Sequence, residues 1–174
     1  DYFEALYNDK NSKIRLAVLN NPFTPEDILI KLVDDSNIHI QLAVLSHPKC
    51  SKEILKEVSS KTNLITYLAM LEGSQIVHSD KISDNNDDAT IRTFRMRLDA
   101  HCCALGKVML AYRPENEIAT IYRSYNFYPH TNNTITNLND LKRQLGKIRT
   151  NGYALNHGEA FENSYGIGVA ILDK

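Results

Sequence analysis

His101-Cys102-Cys103-Ala104-Leu105-Gly106-Lys107-Val108-Met109-Leu110-Ala111 is the stretch on which the fold of most of this chain turns. From Ala104 the run is apolar almost without a break and stops before Pro114, the pattern of a buried helix. Upstream, Leu64 to Leu71 reads as a strand, Glu72-Gly73-Ser74 as a tight turn and Gln75 to His78 as the returning arm of a hairpin. Asp84 to Asp88 is a polar loop, and Ala89 to Met96 offers Ile91, Thr93 and Phe94 as a further strand. Downstream, Glu115 to Tyr122 forms a helix behind Pro114 with acids in its first turn. Asn137 to Asp140 caps another, Leu141 to Thr150, with Leu141, Leu145 and Ile148 on one face and Asn151-Gly152 as its stop. Tyr153 to Leu155 and Gly166 to Leu172 follow as apolar strands. Hairpin, helices and final strands in this order make an α/β domain.

The first third is organised differently. Leu16-Ala17-Val18-Leu19 recurs as Leu42-Ala43-Val44-Leu45, an offset of 26 that Ile14/Ile40, Pro22/Pro48, Ile28/Ile54 and Leu29/Leu55 all keep. A fixed period of this size is the mark of stacked repeats. Each copy reads as two short helices: one begins at Ile14 and closes at Asn20-Asn21-Pro22. The other has Thr24 as N-cap, Pro25 at the first helical position, and Ile28, Leu29, Leu32 and Val33 as its apolar stripe. Neither helix buries its stripe alone, so the copies are expected to stack as a short α-helical solenoid over residues 1–58. The offset is lost after Ser59, and an α/β domain is expected over 59–174.

Composition narrows the function. The chain has 174 residues, 43% hydrophobic and 24% charged, which excludes a disordered or fibrous protein. Lys+Arg 20 against Asp+Glu 21 leaves no bulk charge for binding nucleic acid. No apolar run approaches the roughly 18 residues of a membrane span, and no signal-peptide core stands at the N-terminus. Three cysteines, two of them adjacent, argue against a disulfide framework and for a cytoplasmic protein with reduced thiols.

Two resemblances add to this. His101 to Ala111 matches the phrase "HxxALGKxxLA", Thr131 to Leu138 ("TNNTITNL") matches "TxxTITxxxxL", and Leu141 to Ala154 ("LKRQLGKIRTNGYA") matches "LxxxRxxGYA". Glu159 and the strand Ile167 to Asp173 follow in order. In these phrases the chain resembles the effector-binding domain of the IclR family of bacterial transcription regulators, a GAF-like α/β fold. Ile14 to Pro25, running on to Leu32 and Asp35, resembles the leucine-rich repeat variant (LRV) family. Some LRV relatives carry an iron–sulfur cluster on a cysteine-rich segment; only Cys50 lies in this region, so no cofactor is implied.

The IclR resemblance implies a sensor, not an enzyme: an organic-acid effector seated between the start of the His101–Ala111 helix and the final strands. The expected ligand-binding residues are His101, Cys102, Cys103, Asn156, Glu159 and Gly166. The chain departs from the family at Arg95 and Asp99, where glycine and proline are usual, and at Asn163 and Ala170. Such changes point to altered pocket chemistry, and they favour the rival reading, an LRV-type protein-interaction scaffold with a degenerate sensor. His101-Cys102-Cys103 supplies neither a positioned base for a nucleophilic thiol nor the spacing of a zinc site, so no catalytic or metal residue is expected. Lys142, Arg143, Lys147 and Arg149 are expected to form one solvated basic face. No helix-turn-helix is present, so DNA is expected to be reached only through a module outside this chain. The uncovered stripe Tyr2, Phe3, Leu6, Tyr7 and the unpaired strand Gly166 to Leu172 suggest a fragment of a longer protein, incomplete at its C-terminus, or a homo-oligomer.

Overall fold

A computed structural model describes residues 2–82 and 97–172. The expected strand Ala89 to Met96, the loop Asp84 to Asp88 and Arg95 lie outside the described residues. The described chain forms two compact units, one built mainly from residues 2–66, the other from 67–80 and 97–170.

The first unit consists of α1 (Tyr2–Leu6), α2 (Ser12–Leu19), α3 (Glu26–Leu32), α4 (Ile38–Leu45) and α5 (Lys52–Thr62). The sequence offset reappears in its hydrogen bonds. Asn11 caps α2 by accepting from Lys13 N, and Asn37 caps α4 by accepting from His39 N. Asp9 and Asp35 accept from the backbone of those two caps at 2.7 and 2.8 Å. Arg15 donates to Asp9 O at 2.7 Å, and Gln41, its counterpart, donates to Asp35 O at 2.8 Å. Counterparts also join the copies directly: His47 Nε2 lies 3.0 Å from Asn21 O, and Lys49 Nζ donates to Phe23 O at 3.2 Å. Arg15 further clasps the Asp35 carboxylate with two donors, at 2.5 and 2.8 Å, and holds that carboxyl below the usual range. The apolar stripes meet in a core of Val18, Leu19, Ile28, Leu29, Leu32, Val33, Ile40, Val44 and Ile54.

Thr24 is not the N-cap of α3. Pro25 takes that place without a side-chain bond, while the fully buried Thr24 hydroxyl donates to Val18 O at 2.5 Å. A buried hydroxyl must find an acceptor, and here one on the preceding helix outcompetes the local cap.

The second unit carries β1 (Thr66–Glu72), β2 (Gln75–Ile82) and β3 (Arg97–Asp99), neighbours in that order, with Ile76 opposite Leu98. A 3-10 turn (Ala100–Cys102) leads into α6 (Ala104–Ala111), followed by α7 (Glu115–Ile121), α8 (Leu138–Asn151), β4 (Tyr153–His157) and β5 (Tyr165–Val169). Asn137 caps α8 through Asp140 N, and Gly152 ends it at φ 82°, a conformation that favours glycine. Antiparallel β4 and β5 place Asn156 opposite Gly166. The α6 helix packs on α8 and on both of these strands, around Val108, Leu110, Leu141, Leu145 and Ala154. Two glycines permit this closeness: a Cβ on Gly106 would stand 2.3 Å from Ala100 Cα, and one on Gly168 2.8 Å from the Ala104 carbonyl.

The final strand is shorter than expected. Pairing ends at Tyr153–Val169, because β4 begins directly after the Gly152 stop and leaves Ile171 and Leu172 without a partner strand in this sheet. Among the described residues no helix is long and apolar enough to cross a membrane.

Candidate functional site

The start of α6 is built on Asp99. Cys103 is the N-cap of α6, its Sγ accepting from Gly106 N at 3.4 Å. Cys102 Sγ donates to Asp99 O at 3.2 Å, and Cys103 Sγ stands 3.6 Å from the same carbonyl. Burial pushes the Cys102 thiol up to about 12 and the Cys103 thiol up to about 11. Both are protonated at neutral pH, which suits packing and capping rather than nucleophilic attack. Burial would also raise the Asp99 carboxyl, but hydrogen bonds from His130, Tyr125 and Gln75 hold it below the usual range.

His101 is fully buried in a nest of rings, with Tyr122, Tyr125 and Phe127 centroids at 6.4, 5.4 and 5.0 Å. Burial drives its pKa down to about 4, so the ring is neutral at pH 7. Among the described residues neither ring nitrogen has a hydrogen-bond partner, and neither does the buried Tyr122 hydroxyl. These aromatics gave no sequence signal, since their meeting depends on the loop after α7.

A second polar centre lies one turn along α6. The Lys107 ammonium donates to Glu159 Oε1 and, at 3.1 Å, to Gln144 Oε1 on α8. The side chains of the ion pair are only 1% and 7% exposed. Hydrogen bonds from several elements hold the chain around Glu159. Asn156 Oδ1 accepts from Glu159 N at 3.2 Å, Thr134 Oγ1 donates to Glu159 O at 2.6 Å, and Thr131 Oγ1 donates to Gly158 O at 2.6 Å. Asn133 holds His157 O and Asn156 holds Ser164 O, both at 3.0 Å. Glu159 Oε2 is buried without a partner.

The expected site residues thus fall into two settings. Glu159 and Asn156 form a connected group with Lys107, which was not among the expected residues, Cys103 stands at the Asp99 turn, and Gly166 lies across the strand pair from Asn156, exposed, with open space where a side chain would project. His101 and Cys102 belong to the Asp99 turn beside it. His157 is exposed and stacks edge-on against Tyr165 at 4.9 Å. Among the described residues no three His, Cys, Asp or Glu side chains are grouped to hold a metal.

The expected basic face on α8 does not form. Lys142 pairs with Glu115 at 2.9 Å, Arg143 with Asp140, and Arg149 donates to Ala111 O at 3.3 Å. Successive residues turn about 100° around a helix, so the four cations point to different sides and three of them reach different partners. Arg143 and Lys147 instead line a cleft of about 290 Å³ with Asp140, Gln144 and residues 133–136.

The family described as bacterial transcriptional regulator IclR C-terminal matches residues 41–174, beginning within α4 and so further upstream than the motifs alone mark it. The regulator KdgR of Dickeya chrysanthemi is 30% identical over 104 residues, which are 60% of this chain and 34% of that protein. The crystal structure of the C-terminal domain of Escherichia coli KdgR is 28% identical and superposes with a TM-score of 0.58, covering 66% of this chain and 65% of that one. The inducer-binding domain of the PobR transcription factor from Acinetobacter, a double mutant in complex with 3-hydroxybenzoic acid, shares the fold at 23% identity and a TM-score of 0.58, covering 66% of this chain and 67% of that one. The matched stretch spans 34–41% of the length of the related full regulators. A family match over residues 41–174, well more than half of the chain, makes it a member of the bacterial transcriptional regulator IclR C-terminal family.

Proposed function

We propose that this chain is the ligand-sensing part of an IclR-type transcription regulator, that it binds a small organic acid, and that it is not an enzyme. One observation carries the reading: His101 Nδ1 and Nε2, Tyr122 Oη and Glu159 Oε2 are buried without hydrogen-bond partners around the start of α6. Buried polar groups in native proteins are nearly always paired, so such atoms mark where a ligand's own polar groups fit. His101, Cys102, Cys103, Asn156, Glu159 and Gly166 line the pocket in this reading. The 3-hydroxybenzoic acid held by the PobR domain supports a small organic acid as the ligand class. Thermal-shift screening of small carboxylates, hydroxybenzoates included, tests it. A ligand at 100 times its Kd stabilises by about 2.7 kcal/mol. Gly166→Val, which fills open space, should abolish that shift and leave the ligand-free melting temperature unchanged. A flat response across the screen overturns the reading.

A second reading rests on the hydrogen bonds His47–Asn21 and Lys49–Phe23, which join counterpart positions of the two N-terminal copies. Residues 1–58 then form a short LRV-type solenoid that offers a face to a protein partner, and the domain over 59–174 is a degenerate sensor. In either reading the protein acts in the cytoplasm as a homo-oligomer, without metal or cofactor, and reaches DNA through a module outside this chain. Sedimentation velocity checks the oligomer: a monomer at high concentration refutes it.

A further inference from the structure

We propose that the cleft on α8 is a second binding site, for a small phosphate-bearing anion. Asp140, Arg143, Gln144 and Lys147 stand at i, i+3, i+4 and i+7 of the helix, so all four share one wall. At about 290 Å³ the cleft is at the small end of ligand sites, the size of a sugar phosphate rather than a dinucleotide.

Its charge is unbalanced. Arg143 and Lys147 are like charges four residues apart on a helix, an arrangement that repels. Asp140 pairs with Arg143, but the residues three and four places from Lys147 on either side are Arg143, Gln144, Thr150 and Asn151, none of them acidic. An anion between the two cations turns that repulsion into attraction. The donors are also pre-set. Gln144 gives its Oε1 to the buried Lys107, which fixes the amide and leaves its N–H donors for the cleft. Thr134, which also lines the cleft, is buried and gives its hydroxyl hydrogen to Glu159 O, so it shapes the cleft without donating into it. A guanidinium, an ammonium and a carboxamide along one helix wall match the several oxygens of a phosphate better than the single acceptor edge of a monocarboxylate.

The test titrates inorganic phosphate and glycerol 3-phosphate into the whole chain at constant ionic strength, read by ¹⁵N chemical shifts and calorimetry. Saturable shifts are expected over residues 133–147 and at the Gln144 side-chain amide. Lys147→Glu should weaken binding by about tenfold or more, while Lys13→Glu on α2 should not change it. Far-UV circular dichroism establishes that both variants fold. Absence of saturation up to about 20 mM phosphate, or equal weakening by the two variants, overturns the proposal. The effector reading is untouched by either outcome, because none of its expected residues lies in this cleft.

Discussion

Lys107 and Glu159, 52 positions apart, meet as a buried ion pair that ties α6 to the turn after β4. The pair is held on three sides, by Gln144 from α8, by Thr134 from the loop before it, and by Asn156 from β4. It makes three separate sequence phrases into one scaffold.

Breaking this pair from one side leaves a charge buried alone. Lys107→Met or Glu159→Gln should each lower stability by about 3–5 kcal/mol, and Lys107→Met with Glu159→Leu together should cost far less than their sum. Urea unfolding of the three variants checks this; additive losses would show that the two side chains do not interact.

His101 sets a pH dependence. Its pKa in the folded chain, about 4, lies below the unfolded value of 6.5, so the unfolded chain takes up the proton first as the solution is acidified. Stability should therefore be unaffected by this group above pH 6.5 and fall by at most about 1.4 kcal/mol per pH unit between 6.5 and 4. His101→Phe, which keeps the ring contacts and removes two unpaired nitrogens, should flatten that part of the curve. Denaturation midpoints at several pH values, compared with the parent chain, measure the difference.

Glycines 106 and 146 predict opposite outcomes for one substitution. Gly106→Ala forces a Cβ to 2.3 Å from the Ala100 backbone and should destabilise by about 1–3 kcal/mol or more. Gly146→Ala, in the middle of α8 with nothing within 4 Å, should stabilise by about 0.5–1 kcal/mol. Two thermal melts decide it.

All three thiols should react slowly in the folded chain. Burial raises Cys50 to about 11, Cys103 to about 11 and Cys102 to about 12, so little thiolate exists at pH 8. Labelling by a disulfide reagent should be fast only after denaturation; a rapid native phase would mean that one thiol is activated. Cys103→Ser should keep the α6 cap, whereas Cys103→Ala should cost about 0.5–2 kcal/mol.

Much of this was legible in the amino-acid order, and for local reasons. Asn137 and Gly152 bound α8 because a cap and a left-handed stop act within a few residues. The 26-residue offset surfaced again in the Asn11 and Asn37 caps for the same reason. Non-local choices were hidden. Thr24 forsook its cap for a carbonyl on another helix, and the cations of α8 were drawn to Glu115, Asp140 and Ala111 O rather than held on one face. In the candidate site, Glu159 and Lys107 were each visible as motif residues but their pairing was not. The ring nest around His101 depends on Tyr125 and Phe127 arriving, from a loop with no periodicity, beside Tyr122 at the end of α7. Cys103 could have been found: a side chain with lone pairs directly before an apolar helical run occupies the N-cap position.

The Arg15–Asp35 clasp gives the N-terminal helices a grammar in which the order of the copies matters. Arg15 of the first copy grips Asp35 of the second, but its counterpart Gln41 has only the arm that reaches Asp35 O, and the place where the next aspartate would stand is Lys61, itself paired with Asp34 and Glu57. Lengthening the array by duplicating residues 9–34 would carry the clasp along, each arginine meeting a fresh aspartate. Duplicating residues 35–60 would instead set glutamine against aspartate and leave the new joint without the clasp. Two segments that look interchangeable in their apolar residues are therefore not equivalent, and their charged residues record the difference.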